Sequence, residues 1–157
     1  MQKIPYVCPI NGDKLLLKEN KYVSSSKKSY PIKNKIPRFF EEEYSGSFGF
    51  QWNTFDKVQL DSYSFSSLSN DRFWASTNWD PKDLDADNVL EVGSGAGRFT
   101  EVFLKSSNAN LYTLDSSLAV EANFNNNSQY LTRLFISQAS IYRMPFKDNS
   151  FDKLFCF

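Results

Sequence analysis

Three glycines at alternate positions, with an acid two residues before the first, are the residues best placed to do chemistry. They belong to the run Val89-Leu90-Glu91-Val92-Gly93-Ser94-Gly95-Ala96-Gly97-Arg98-Phe99. Glycine lets the backbone turn sharply and lets a ligand approach without meeting side chains. The amides at the start of the following helix can also bind polar ligand groups. The sequence therefore predicts a nucleotide-type binding site on this turn.

The spacing and charge of the turn narrow the kind of nucleotide. A dinucleotide site requires G-x-G-x-x-G, whereas Gly97 arrives one position early. The carboxylate of Glu91 would repel a pyrophosphate, but it suits a cofactor that carries an ammonium and a sulfonium. NAD and FAD are therefore disfavoured, and a nicotinamide oxidoreductase stays only as a third possibility.

A second acid follows the next predicted strand, at Leu114-Asp115. A carboxylate at this position can accept two hydrogen bonds from ribose hydroxyls. The alternative to a binding site is that residues 93–97 form only a tight turn and that Asp115 caps a helix over residues 117–124. The order of strand, glycine turn, helix, strand and terminal acid favours the binding site.

Residues 87–157 alternate strand and helix patterns as a parallel α/β sheet does. The strands are predicted at residues 88–92, 110–114, 134–137 and 153–157, and the helices at 98–105 and 117–124. Pro145 and residues 148–150 supply turn chemistry before the last strand. The predicted fold class is α/β, with a doubly wound parallel sheet in this third segment.

Two further segments precede it. Residues 1–40 are rich in lysine and proline and predict a small β-rich module, whose lysines are interpreted as a solvated surface. Residues 41–86 are dense in aromatic side chains, with helices expected near residues 50–58 and 69–75. These aromatic residues either pack against a neighbouring core or form a lid over a cofactor.

Composition excludes several classes of function. The 18 basic and 18 acidic residues cancel, so no global field favours nucleic acid or an anionic membrane, and neither is expected as a partner. No apolar run approaches the roughly 20 residues that span a bilayer, and a cytoplasmic location is the default expectation. Histidine is absent, which excludes Ser-His-Asp and Cys-His nucleophiles. The distant Cys8 and Cys156 predict neither a disulfide framework nor a metal site.

The motifs of the third segment together resemble those of class I S-adenosylmethionine-dependent methyltransferases, type 11 subgroup. The resemblance is carried by Glu91-x-Gly93-x-Gly95-x-Gly97, by Leu114-Asp115, and by Met144-Pro145-Phe146-Lys147-Asp148-Asn149-Ser150-Phe151-Asp152. It implies a Rossmann-like sheet of seven strands in the order 3-2-1-4-5-7-6, of which this sequence would supply the first four. The expectation is therefore a fragment or truncated reading frame.

The resemblance also implies the roles of individual residues in binding S-adenosylmethionine. Glu91 would help to hold the methionine amino group, and Asp115, followed by Ser116, would take the ribose. Ser140 stands where the family often has an aspartate for the adenine amino group. The full set of implied cofactor-binding residues is Glu91, Gly93, Ser94, Gly95, Gly97, Asp115, Ser116, Ala139, Ser140 and Ile141. No catalytic residue is implied.

Two resemblances concern the preceding segments. Cys8-Pro9 and Tyr30-Pro31-Ile32 are similar to a small zinc-ribbon module that activates some methyltransferases, but Asn11, Val23 and Ser26 stand at its other three cysteine positions. One thiolate cannot make a four-coordinate zinc site, so a metal-free remnant is expected. Residues 48–52 resemble the aromatic approach segment of fused methyltransferases.

These observations predict a methyltransferase that acts on an unidentified acceptor, expected to be a small molecule. The alternative is a catalytically silent module that binds S-adenosylmethionine or another protein and lacks the acceptor half. The oligomeric state is left open.

Overall fold

The computed structural model describes residues 4–39 and 57–157. An antiparallel sheet there contains, in order, β1 (Leu15–Lys18), β2 (Lys21–Ser24), β3 (Ser29–Lys33) and β4 (Ile36–Pro37). A parallel sheet contains β5 (Asn88–Val92), β6 (Asn110–Asp115), β7 (Leu134–Gln138) and β8 (Lys153–Phe155), in the order β7-β6-β5-β8. The helices are α1 (Asp61–Ser64), α2 (Leu68–Thr77), α3 (Arg98–Ser106) and α4 (Ala119–Asn126), with short 3-10 helices at Pro81–Leu84 and Ser128–Tyr130.

The parallel sheet confirms the predicted fold class, and its strands alternate between two buried faces. Val89 and Leu111 point toward α3 and α4, where they join one hydrophobic cluster. Leu90 and Tyr112 point to the opposite face and join a second cluster. Because the chain moves in one direction from β5 to β6 to β7, right-handed crossovers place α3 and α4 on the same face.

The antiparallel sheet lies on the second face of the parallel sheet. Tyr6 packs within 5.5 Å of Phe146, measured between ring centroids. The amide of Val7 donates to the carbonyl of Pro145 at 3.0 Å, and the amide of Phe39 donates to the carbonyl of Gln138 at 2.8 Å. The two sheets therefore share the second hydrophobic cluster, and Ile36 of β4 also joins the first. The division into domains at residues 40 and 86 stays a prediction.

Part of the aromatic segment packs against the core. Phe73 of α2 is fully buried and contacts the rings of Trp74, Phe103 and Phe155. This agrees with the packing interpretation for α2. The same helix spans residues 69–75, where the sequence predicts one. The approach segment at residues 48–52, and all but the last two residues of the helix expected at 50–58, lie outside the described residues.

The predicted end of the last strand is wrong. β8 ends at Phe155 instead of continuing to Phe157, because Phe157 folds back onto Phe99, with ring centroids 4.6 Å apart. Cys156, which the predicted strand at residues 153–157 included, lies outside β8 and is exposed. In the described residues, the helices are all too short or too polar to cross a membrane.

Candidate functional site

The glycine turn between β5 and α3 has the backbone shape that requires glycine. Gly93, Gly95 and Gly97 have φ values of 76°, 50° and 91°, in the left-handed region that side chains other than glycine rarely adopt. The amides of Gly93 and Ser94 both donate to the carbonyl of Leu114, at 2.8 and 3.2 Å. The end of β6 therefore fixes the start of the turn.

The three glycines differ in what lies beside them. A Cβ atom added to Gly93 or Gly95 would meet no atom within 4 Å. A Cβ atom added to Gly97 would lie 2.4 Å from both Asn123 Oδ1 and Asn127 Nδ2. The first two glycines therefore leave the turn open to a ligand, whereas the third allows α3 and α4 to approach closely.

Asp115 at the end of β6 is directed at the turn. Its Oδ2 accepts a hydrogen bond from the amide of Gly95 at 2.9 Å. Its Oδ1 accepts from the amide and the hydroxyl of Ser117, both at 2.8 Å. The carboxylate therefore faces the glycine turn and also orders the chain before α4, while its role in ligand binding stays a prediction.

A cavity of about 240 Å³ opens beside the turn. Its walls include residues 93–96 of the turn, together with Leu60, Arg72 and Phe157, which sequence reasoning missed. The hydroxyl of Ser94 is buried and has no hydrogen-bond partner among the described residues. Leu60 and Arg72 come from the helical segment before β5, and no local pattern links them to the turn.

Glu91 is buried on the helix-covered face of β5, where its Oε2 accepts a hydrogen bond from the hydroxyl of Thr100. Burial raises its pKa to about 8, and the nearby charge of Asp115 adds to the rise, while Thr100 opposes it. Glu91 does not line the 240 Å³ cavity. The structure thus brings the two acids within electrostatic reach of each other, with Glu91 behind the turn.

Asparagines of α4 support the turn from behind. The side-chain amide of Asn123 donates to the hydroxyl of Thr100 at 3.0 Å, and the side-chain amide of Asn127 donates to the backbone carbonyl of Gly97 at 3.2 Å. Asn126 donates to the carbonyl of Ala96 at 2.9 Å. Sequence reasoning missed these residues, two of which lie in α4 and the third directly after it.

The remaining predicted residues lie at the same edge of the sheet, because β6 and β7 are parallel neighbours. The amide of Ala139 donates to the carbonyl of Asp115 at 3.0 Å, and the carbonyl of Ser116 accepts from Gln138 at 2.9 Å. Ile141 is exposed. Ser140 lines a larger cleft, of about 1290 Å³, between β7 and the antiparallel sheet.

At the positions compared with zinc ligands, the structure shows hydrogen bonds. Cys8 Sγ lies 3.1 Å from the hydroxyl of Tyr30, and the side-chain amide of Asn11 donates to Ser26 Oγ at 3.1 Å. Within the described residues, no three His, Cys, Asp or Glu side chains are grouped to hold a metal ion.

Comparison with known proteins agrees with this geometry. Residues 90–157 match the family model described as a methyltransferase domain, and no curated protein matches the sequence. A Methanococcus maripaludis structure, provisionally described as an S-adenosyl-L-methionine-dependent methyltransferase, aligns with a TM-score of 0.59 and 20% identity, covering 74% of this chain and 53% of that one.

Two more structures align over a similar share of the chain. An Aquifex aeolicus SAM-dependent methyltransferase has a TM-score of 0.52 and 18% identity, covering 69% of this chain and 55% of that one. A complex of a Haloferax volcanii methyltransferase activator with a provisionally assigned methyltransferase aligns with a TM-score of 0.53 and 17% identity, covering 73% of this chain and 48% of that one. The chain spans about half the length of these structures. The chain therefore has the fold of the S-adenosylmethionine-dependent methyltransferases. The match to the methyltransferase-domain family covers residues 90–157 of it.

Proposed function

We propose that the chain binds S-adenosylmethionine at the glycine turn and serves a methyltransferase that acts on a small-molecule acceptor. The observation that carries the proposal is the open backbone at Gly93 and Gly95 with the carboxylate of Asp115 directed at it. A sulfonium nucleoside needs bare backbone beside its amino acid and an acceptor for its ribose hydroxyls. Both features are present at one edge of the sheet.

The residues around the turn fit part of such a cofactor. The 240 Å³ cavity is smaller than the roughly 300–1,000 Å³ of complete small-molecule sites, so it would hold the amino-acid end. The buried Ser94 hydroxyl, which lacks a partner among the described residues, offers one hydrogen bond there. Ser116, Ala139, Ser140 and Ile141, at the ends of β6 and β7, are assigned to the nucleoside.

Glu91 is assigned to the methionine ammonium through its charge. A cation bound at the turn would favour the ionised carboxylate, whose pKa burial otherwise raises to about 8. Since Glu91 lies behind the turn, hydrogen-bonded to Thr100, this role is electrostatic. A neutral Glu91 would weaken the same attraction.

When bound, S-adenosylmethionine supplies a methyl group activated by the sulfonium, for in-line attack by the acceptor. The chain's own contribution is positioning: the turn orients the cofactor, and Asp115 fixes the turn through Gly95. Phe99 and Phe157 line the cavity and exclude water from one side.

The antiparallel module is proposed to be a metal-free relative of the zinc-ribbon activators. The hydrogen bond between Asn11 and Ser26 joins two of the positions compared with zinc ligands. Asp13 adds to this cluster by accepting from Asn11 and Ser25, at 3.1 and 2.8 Å. These bonds give the loops a connection that does not need a metal. The cytoplasmic location stays a prediction.

Calorimetry with S-adenosylhomocysteine and with NADH tests the proposal. We expect S-adenosylhomocysteine to bind and NADH not to bind. Binding of NADH alone would replace the proposal by the oxidoreductase alternative, and binding of neither ligand would remove the turn as a cofactor site. The catalytically silent alternative is not favoured, because the matched family consists of methyltransferase domains.

A further inference from the structure

The cleft of about 1290 Å³ between β7 and the antiparallel sheet meets the proposed cofactor site at Ser140, but its basic and aromatic lining residues have no role in cofactor binding or methyl transfer as proposed above. Its walls combine β3 residues with the segment that follows β7 and with the start of α4. The cleft is open, and its volume exceeds the roughly 300–1,000 Å³ of typical small-molecule sites. Its size therefore favours an extended ligand.

The charge of the cleft is positive. Lys28, Lys33, Arg38 and Arg143 line it, and among the described lining residues Glu121 is the one acid. Glu121 is already engaged, because Arg38 forms an ion pair with it and Asn34 donates to it at 2.8 Å. Lys28, Lys33 and Arg143 form no ion pair within the described parts of the chain. Three uncompensated cations therefore face the cleft.

The module that forms one wall strengthens this local field. Residues 4–39 hold eight Lys and Arg against two Asp and Glu, although the whole chain has a net charge of +0. Arg38 is 6% exposed, yet its Nε has no hydrogen-bond partner among the described residues. A buried guanidinium donor without a partner is costly unless a ligand satisfies it.

Aromatic surface lies beside these cations. Tyr142 is 93% exposed, which is unusual for a large aromatic side chain, and it adjoins Arg143 in the same wall. Single-stranded nucleic acids bind to grooves that combine cations for the phosphates with aromatic rings on which bases stack. An acidic peptide would use the cations but gain little from the exposed ring.

We infer that this cleft binds a short stretch of single-stranded nucleic acid, with Lys28, Lys33 and Arg143 on its phosphates and Tyr142 stacked on a base. The cancelling global charge argues against such a partner, but the fold brings Lys28, Lys33 and Arg38 of the module together with Arg143 at one cleft. The inference does not depend on the proposed cofactor, whose turn lies beside a separate cavity.

Fluorescence anisotropy with a labelled 12-nucleotide oligouridylate tests the inference in the full chain. The triple variant K28A/K33A/R143A should bind at least tenfold more weakly. The matched control K14A/K18A/K21A removes as many charges from exposed lysines of the same module that do not line the cleft, and it should stay within about threefold of wild type. An equal loss in the control would show diffuse surface attraction and overturn the inference.

Three further measurements separate the inferred ligand from its competitors. The slope of log K against log salt should be about −2, from about −0.7 per phosphate for three contacts on a single strand. Y142A should weaken binding about five- to tenfold, while Y142F should not. Failure of the wild type to bind, or equal binding of a polyglutamate 12-mer, would each overturn the inference.

Discussion

The carboxylate of Asp115 and the backbone amide of Gly95 are joined by a hydrogen bond of 2.9 Å that links the end of β6 to the turn after β5. The two residues are 20 positions apart in the sequence. Because β5 and β6 are parallel neighbours, their carboxyl ends meet at one edge of the sheet, where ligands bind in such folds. The bond therefore makes the strand acid part of the glycine turn.

Replacement of Asp115 by alanine should weaken binding of S-adenosylhomocysteine. The variant removes a ribose acceptor and leaves the Gly95 amide without its partner, which costs about 1–3 kcal/mol, or about 5- to 150-fold in affinity. Calorimetry measures this loss. Asp152→Ala is the matched control, because Asp152 accepts from the Asn88 amide at 2.8 Å at the other end of β5. Equal affinities in the two variants would remove Asp115 from the site.

Gly97→Ala should destabilise the fold much more than Gly95→Ala. At Gly97 the new Cβ would lie 2.4 Å from Asn123 Oδ1 and Asn127 Nδ2, in addition to the strain of a φ of 91°. Overpacking costs about 1–3 kcal/mol and left-handed backbone about 1–2 kcal/mol. Gly95→Ala meets no atom within 4 Å and should show the backbone cost alone. Denaturant unfolding of both variants measures the difference, and similar losses would contradict the assigned contact.

Glu91 should make the protein less stable as pH rises toward 8. Its pKa is raised, chiefly by burial, from 4.5 to about 8 in the folded chain. Below pH 4.5 both the folded and the unfolded chain hold the proton, so the free energy of unfolding does not change with pH through this group. Between these values only the unfolded chain loses it, so the free energy of unfolding falls by up to about 1.4 kcal/mol per pH unit.

The Glu91→Gln variant isolates this contribution. Glutamine keeps an acceptor for Thr100 but cannot ionise, so its unfolding free energy should decline less between pH 5 and pH 8 than that of the wild type. Urea unfolding at intervals of half a pH unit measures both curves. If the two curves stay parallel, Glu91 does not titrate with a raised pKa.

The elements of the parallel sheet were predictable because their patterns are local. Residues 88–92 alternate between two apolar faces, and the glycines mark the end of the strand, so the predicted bounds match β5. The helix predicted at 98–105 matches α3 to within one residue. The helix predicted from 117 instead begins at Ala119, because residues 115–117 form a turn in which Asp115 accepts from Ser117.

Long-range packing could not be predicted in this way. The close approach of Gly97 to Asn123 and Asn127 depends on how α3 and α4 are placed by the sheet. The contribution of Leu60 and Arg72 to the cavity wall depends on the docking of the helical segment. Neither has a sequence period, so the residues of the glycine turn were predicted while those that support or enclose the turn were missed.

The antiparallel module should unfold together with the parallel sheet. Tyr6 is buried against Phe39 and Phe146, with ring centroids 4.9 and 5.5 Å away. Replacement of a large buried aromatic residue by alanine costs about 3–5 kcal/mol. If the cluster shared by the two sheets couples them, Tyr6→Ala should lower the midpoint for the whole molecule. Tyr63→Ala, at a position that is 60% exposed, should have little effect.

Two optical signals distinguish coupled from independent unfolding. Trp74 and Trp79 pack against the cluster on the other face of the parallel sheet. Tryptophan fluorescence therefore reports on that region once the third tryptophan, Trp52, is replaced by phenylalanine in every variant compared. Far-ultraviolet circular dichroism reports on both sheets. Coupling requires the two midpoints to shift together in Tyr6→Ala. A fluorescence midpoint that stays at the wild-type value, with an earlier circular dichroism phase, would instead establish the module as a separate domain, because loss of its core would then leave the parallel sheet intact.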